Sequence, residues 1–442
     1  MPINRTNITQ RPVMKTLRIY GFLLALLAVP ACDTKVTNPG RFEDIDLNAR
    51  TAEQAMVNGA GRALASGLNW LSYTGAAVSR EIHPAGSTGS FGISTRWQNG
   101  ELAADDGDLD PHWEQAQRAR WIAEEAVRRI EAAGPPKVGE PQTLVAYNNV
   151  RQLAYLYAGY ANRVLGENMC EGTIDGGPKV AGAVFFTRAE SLFTKAIGVT
   201  GGTPATIATQ ATAAYAGRAA VRVFLGKWTE SVTDAGLVPI AFVQNIPYFN
   251  LGDDAQRNRI AWAIFNTPYR AHTQWSTWYY DYRTLTTDPR VPITITALLG
   301  DAAIECCGRV PFYPEAKFST SASPMRLSSG REMRLIEAEA KLRNDDLAGA
   351  VTSMNLVRTA AGTTAITAAT ITDGWRLLKR ERGIELWLEA RRLGDMRRWK
   401  EGNTPGALDP LELPGTSSHL TKQDLCFPIS RSERETNPNF KI

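Results

Sequence analysis

Leu378-Lys379-Arg380-Glu381-Arg382-Gly383-Ile384-Glu385-Leu386-Trp387-Leu388-Glu389-Ala390-Arg391-Arg392-Leu393-Gly394-Asp395-Met396-Arg397-Arg398-Trp399 is the stretch that decides the reading of this chain. Glu381, Glu385 and Glu389 recur every four positions, and Arg392 and Asp395 extend the series by steps of three, so the spacing predicts one face of a helix running from Thr372 to Trp399. Two such carboxylates could serve as general acid and base around a glycosidic bond. Carboxylates one turn apart point the same way, however, and flanking arginines keep them ionised instead of raising a pKa. The expectation is a structural ion-pair ladder and no catalytic residue.

Outward from this stretch the chain is mainly α, with apolar residues every three or four positions. Candidate helices run from Thr51 to Arg80, Pro111 to Ala133, Thr143 to Leu165, Arg188 to Ile197, Ile207 to Leu225, Thr229 to Ala235, Arg331 to Leu342 and Leu347 to Ala360. Asp110 before Pro111 reads as an N-cap, and Gly134-Pro135-Pro136 as a stop. Two helix pairs with short polar turns, at Gly226-Lys227-Trp228 and Asn344-Asp345-Asp346, resemble tetratricopeptide hairpins without the full repeat. Between them Leu237 to Gly330 is rich in aromatics, prolines and glycines, and reads as long loops with a few short strands.

At the front, Lys15 and Arg18 lead into the apolar run Ile19 to Val29, which is too short for a stable membrane span and reads as a signal-peptide core; Met14 is an alternative start. The run ends in Val29-Pro30-Ala31-Cys32, which resembles a bacterial lipobox with Cys32 as the acylated residue. Of the 442 residues, Lys and Arg number 49 and Asp and Glu 45. Residues 1–31 carry four bases and no acid, so the remainder is electrically balanced and lacks the footprint of a nucleic-acid binder. Export permits disulfides among Cys170, Cys306, Cys307 and Cys426; bridges from the adjacent pair to Cys170 or Cys426 are the expectation, since a vicinal bond needs a strained ring.

The opening stretch resembles the C-terminal signature of the SusD/RagB family through Glu381, Arg382, Glu385, Leu386, Glu389, Arg392, Asp395, Arg398 and Trp399, with Ala390 for its glycine and Met396 for its leucine. Met354-Asn355-Leu356-Val357-Arg358, Asp288-Pro289-Arg290, Phe427-Pro428-Ile429 and Asn437-Pro438-Asn439 are similar to further family segments. The resemblance implies a SusD-like helical fold: a lipoprotein signal at 1–31 and one domain at 32–442. That domain would comprise a scaffold at about 44–236, a loop-rich variable region at about 237–330 and the signature region at about 331–442. It further implies an outer-membrane lipoprotein, held to lipid through acylated Cys32 and facing the cell exterior. Such a protein captures an oligosaccharide or similar nutrient and delivers it to a SusC-like TonB-dependent transporter, without enzymatic activity or cofactor. A lid-like structural partner of the transporter, or a surface glycoside hydrolase, are the alternatives.

Sugars present apolar faces and hydroxyl edges, so their sites pair aromatic platforms with polar partners. Gln274-Trp275-Ser276-Thr277-Trp278-Tyr279-Tyr280-Asp281-Tyr282-Arg283 supplies both, which makes Trp275, Trp278, Tyr279 and Tyr280 the candidate ligand-binding residues, with Trp97 in a second loop; some of these rings could instead plug the core. His83, His112, His272 and His419 lack metal-ligand spacing and read as surface or helix-end residues. The run Asp105 to Asp110 reads as helix capping and not as a calcium loop, so no metal site is expected.

Overall fold

The computed structural model describes residues 44–85, 93–250, 256–265, 270–300 and 309–440. The chain divides into a leading unit, 1–46, described only at 44–46, and a unit of 47–442 to which the following applies. Its scaffold starts with α1 (Glu53–Val78), the single turn α2 (Thr95–Gln98), α3 (Asp110–Ala133) and α4 (Leu144–Asn168). It continues through α5 (Ala183–Ile197), α6 (Pro204–Phe224) and α7 (Trp228–Gly236). Helices α1 and α3, then α4, α5, α6 and α7 in succession, pack on one another. Small residues permit the close approaches. A Cβ on Gly67 of α1 would lie 3.1 Å from the Cα of Ala116 in α3, and one on Gly217 of α6 would sit 2.4 Å from the Phe193 ring of α5.

The variable region is more regular than its composition predicts. Its described residues include the short helices α8 (Arg259–Phe265) and α9 (Trp278–Leu285), besides strands β4 (Val243–Ile246), β5 (His272–Thr273) and β6 (Met325–Ser329). β4 pairs antiparallel with β6, while β5 pairs antiparallel with β1 (His83–Pro84), which follows α1. A further sheet among the described residues pairs β2 (Glu171–Gly172) with β3 (Val180–Ala181).

The C-terminal third holds α10 (Gly330–Arg343), α11 (Leu347–Ala360), α12 (Ile371–Glu385), α13 (Arg392–Glu401) and α14 (Arg431–Thr436). The helix expected from Thr372 to Trp399 is therefore broken after Glu385. Leu388 and Ala390 take φ of +63° and +57°, a left-handed turn that L residues adopt only where their surroundings enforce it. Those surroundings come from the end of α1. The Leu388 N–H donates to Glu81 Oε1 at 2.8 Å and Trp387 Nε1 donates to the Glu81 carbonyl at 3.2 Å, so polar groups leaving the helical ladder find partners more than 300 residues away.

The ladder is structural, but its rungs do not pair along one helix. Glu381 accepts from Arg290 at 2.8 Å and from Arg358 at 2.6 Å. Glu385 pairs with Arg326 at 2.7 Å, and Glu389 with Lys317 at 2.6 Å and Arg326 at 2.9 Å. Arg382 forks onto Asp395, and Arg392, turned away by the break, forks onto Glu412. Deeper still, Glu332 receives Arg163 and Arg391.

Two further expectations change. Asp110 is not the cap of α3: Leu109 occupies that position, and Asp106 instead caps the preceding 3-10 turn by accepting from the Asp108 N–H, while Asp110 accepts the Arg431 N–H at 2.6 Å. Cys170 is bonded to Cys426, with Cα atoms 5.5 Å apart, because a bridge between Met169 and Phe427 lays the end of α4 beside the C-terminal segment. Cys32, Cys306 and Cys307 lie outside the described residues.

Candidate ligand-binding face

The face begins where α1 ends. Arg80 adopts φ +61° and turns the chain into β1, and its buried guanidinium donates to Ser417 Oγ at 3.0 Å and to the carbonyls of Ala77, Gln98 and Ser418. One side chain thereby ties the end of α1, the turn α2 and the 417–418 loop together. Burial lowers the Arg80 pKa to about 10. Next to it, burial pushes the Glu81 carboxyl up to about 7, against the lowering pull of the Leu388 N–H and of Arg392 and Lys317.

A raised carboxyl pKa in the folded state penalises folding progressively as pH rises from about 4.5 to about 7. Glu81→Gln, which keeps an acceptor for Leu388, should therefore match wild type in melting temperature near pH 4.5 and exceed it above pH 7. Thermal melts across that window check it; an unchanged difference at all pH values would mean that Glu81 does not titrate there.

β1 carries His83 onto β5, in register with Thr273. His83 Nδ1 lies 2.7 Å from the Pro84 carbonyl and so holds the proton, while burial, then the Arg80 charge, lowers the ring pKa to about 3. The neutral imidazole meets Trp275 edge-on at 5.1 Å and His419 at 6.3 Å. Trp275 is half-buried, and its N–H donates to Thr273 Oγ1 at 3.1 Å. The same hydroxyl accepts from the Tyr313 N–H at 2.8 Å, while Gln274 N–H donates to the Tyr313 carbonyl at 2.8 Å, so Tyr313 is locked beside the Trp275 turn. Thr277 then caps α9 by accepting from the Tyr280 N–H, and Tyr280 lies parallel to Tyr313 with centroids 4.9 Å apart and planes within 13°. Trp275, Tyr280, Tyr313 and His419 are each part-exposed. Trp275 and the stacked pair Tyr280 and Tyr313 are thus two part-exposed aromatic groups whose backbones meet on the Thr273 hydroxyl.

The other sequence candidates lie inward. Trp278 is 3% exposed and Tyr279 fully buried; they contact each other at 4.0 Å, and Tyr279 stacks on Trp387 at 5.3 Å. Tyr282 turns inward too and donates its hydroxyl to Asp288 Oδ2 at 2.7 Å. The decapeptide is thus split by α9: positions 278, 279 and 282 share its core side, and 275 and 280 stay outside. Trp97 is buried as well, its Nε1 donating to Asp106 at 3.0 Å. Burial removes Trp278, Tyr279 and Trp97 from the platform expected of them. Tyr313 was not among the candidates, since nothing local marks a tyrosine 33 residues beyond Tyr280 as its partner.

The histidines also depart from expectation. His83, His112 and His272 are fully buried, and burial lowers the pKa of each to about 3, so they act as neutral packing groups. His112 stacks on Phe427 and shares a hydrogen bond with Thr74 at 2.7 Å. Among the described residues no group of three or more His, Cys, Asp or Glu is arranged to hold a metal ion. Nor is any described helix long and apolar enough to cross a membrane.

Residues 318–441 match the sequence model of the SusD family. Solved structures share the fold at low identity. A SusD superfamily protein from Bacteroides thetaiotaomicron is 15% identical with a TM-score of 0.65, covering 89% of this chain and 99% of its own. One from Bacteroides vulgatus is also 15% identical, at TM-score 0.61 over 88% and 98%. Surface glycan-binding protein A from Bacteroides uniformis is 15% identical, at TM-score 0.60 over 87% and 98%. No curated protein sequence matches the chain. The fold expected from the resemblance is borne out, and the family model matches over the stretch that holds the signature and closing segments.

Proposed function

We propose that this chain, SusD-like in fold and carrying the family's sequence pattern over residues 318–441, captures an oligosaccharide on the outside of a cell without transforming it. The observation that carries the reading is the set of part-exposed rings, Trp275 and Tyr313 anchored by their N–H groups on the Thr273 hydroxyl and Tyr280 stacked on Tyr313. Flat rings held rigidly cover the apolar face of a sugar at little conformational cost, and His419 and Asp281 offer polar groups at the edges. A structural neighbour whose name is surface glycan-binding protein A supports the same ligand class. The binding reading is favoured over hydrolysis because Glu381, Glu385 and Glu389 are each engaged by bases and lie buried. Binding to a glycan array, with no shorter product released on prolonged incubation, tests it; product formation would promote the hydrolase.

Residues 1–31 are read as a lipoprotein signal, 32–442 as the SusD-like domain, and Cys32 as the acylated anchor to the outer membrane, with a SusC-like TonB-dependent transporter as the recipient of the glycan. Several acyl chains exceed the two signals that stable anchoring needs. Cys32→Ala should therefore move the protein from the membrane to the soluble fraction. Retention of the variant in membranes at the wild-type level would place the anchor elsewhere.

A further inference from the structure

Trp278, buried beneath the aromatic face, also lines a separate pocket of about 220 Å³ between α12 and the 407–412 segment. Its walls are unusually cationic: Arg376, Lys379 and Arg380 lie on one side of α12, and Arg392 contributes from α13. The charges are engaged to different degrees. Arg392 is fully taken up by Glu412, through two contacts of 2.7 Å, and Lys379 is pinned on the carbonyls of Thr404 and Gly406 at 3.2 and 2.6 Å. Arg376 approaches Asp373 only to 3.7 Å with both side chains solvated, a contact of little worth. Arg380 lies 5.6 Å from the Tyr282 ring centroid and forms no ion pair among the described residues; its Nε is buried with no hydrogen-bond partner. Trp278 Nε1, on a ring that is 97% removed from solvent, likewise has none. Against these donors the lining carboxylates are Glu412, which is consumed, and Asp409, which sits at the exposed rim and accepts from the Leu411 N–H.

We infer that this pocket binds an oxyanion, the carboxylate or sulfate group of an acidic sugar or the same group as a free ion. Arg380 has no carboxylate partner among the described residues and Arg376 only a loose, solvated one, so an oxyanion seated on this wall supplies the acceptor that both guanidinium groups lack. Guanidinium forks match the geometry of planar and tetrahedral oxyanions better than a point charge does. The volume suits one sugar residue or ion and is too small for a chain. This site is independent of the aromatic face: its donors come from α9, α12 and α13, and neither Trp275 nor Tyr280 lines it.

The test uses the mature chain with isotope-labelled tryptophan, the Trp278 indole resonance being assigned by Trp278→Phe. Sodium sulfate, glucuronate and neutral glucose are titrated at constant ionic strength. The resonance should move with sulfate and glucuronate and stay still with glucose. Arg380→Gln and Arg376→Gln should each weaken anion binding at least tenfold while the variants melt cooperatively; if one of them fails to fold, the other decides. Tighter binding of glucuronate identifies a sugar-borne group as the ligand, and equal binding identifies a free ion. No movement with either anion up to tens of millimolar, or binding unaffected by the arginine variants, overturns the site. The Trp275→Ala, Tyr280→Ala double variant should leave the anion response intact, which separates this outcome from any failure of the glycan reading.

Discussion

Glu381→Ala is expected to lower the stability of the fold by about 3–5 kcal/mol, the cost of leaving buried charge uncompensated. Glu381 is fully buried, and its two oxygens each hold a different arginine: Arg290 on one, Arg358 on the other, with side chains 6% and 5% exposed. Removing the carboxylate takes a buried, charged acceptor from each. The loss would spread, because Arg290 also forks onto Asp288, which in turn accepts the Tyr282 hydroxyl at 2.7 Å; the D-P-R turn, α9 and α12 are joined through this one cluster. Glu381→Gln retains the acceptor and shape without the charge, and should fall between the variant and wild type. Urea unfolding measures the difference, and an unchanged slope with a shifted midpoint would confirm that stability alone has moved. A variant as stable as wild type would mean that the arginines are already satisfied by Asp288 and neighbouring carbonyls.

That cluster also marks how far the sequence could be read. The recurrence of Glu381, Glu385 and Glu389 identified a structural role, and the apolar period located α1, α3, α4 and α11 within a few residues. What the period could not contain was the interruption at Leu388, whose cause is the carboxylate of Glu81 at the other end of the chain. Nothing local distinguishes a helix that continues from one that is unwound by a distant acceptor. The same holds for charge partners: Arg326, Lys317 and Arg290, all from the loop-rich region, take the carboxylates that a single-helix ladder would have assigned to neighbouring arginines.

The aromatic decapeptide was legible as important, and its division was partly within reach. Trp278, Tyr279 and Tyr282 stand at i, i+1 and i+4 behind the capping residue Thr277, a helical signature in a stretch that composition alone marks as loop. Tyr313 was not within reach, since its place beside Tyr280 depends on the Thr273 hydroxyl and on backbone pairing with Gln274. The histidines misread as surface groups show the same dependence: burial between α1, β1 and β5 is a tertiary fact, and it decides both their exposure and their charge.

The second large effect concerns the aromatic face itself. Stacking rings contribute through the area they cover, and Trp and Tyr dominate binding hot spots, so Trp275→Ala and Tyr280→Ala should each weaken glycan binding by about 1–3 kcal/mol. The two rings touch different neighbours, His83 for Trp275 and Tyr313 for Tyr280, so their losses should be close to additive. A combined loss near 3 kcal/mol is about a hundredfold in affinity. Neither ring is buried in the core, so melting temperatures should change little. Tyr279→Ala is the contrasting control: it empties a fully buried site against Trp387 and should cost stability in the range of about 3–5 kcal/mol. Calorimetric titration of the folded Trp275→Ala, Tyr280→Ala protein against the best ligand from a glycan array is the most direct measurement. At least a hundredfold weaker binding with a native melting temperature is the expected result; wild-type affinity in that double variant would contradict the assignment of this face as the site of glycan capture.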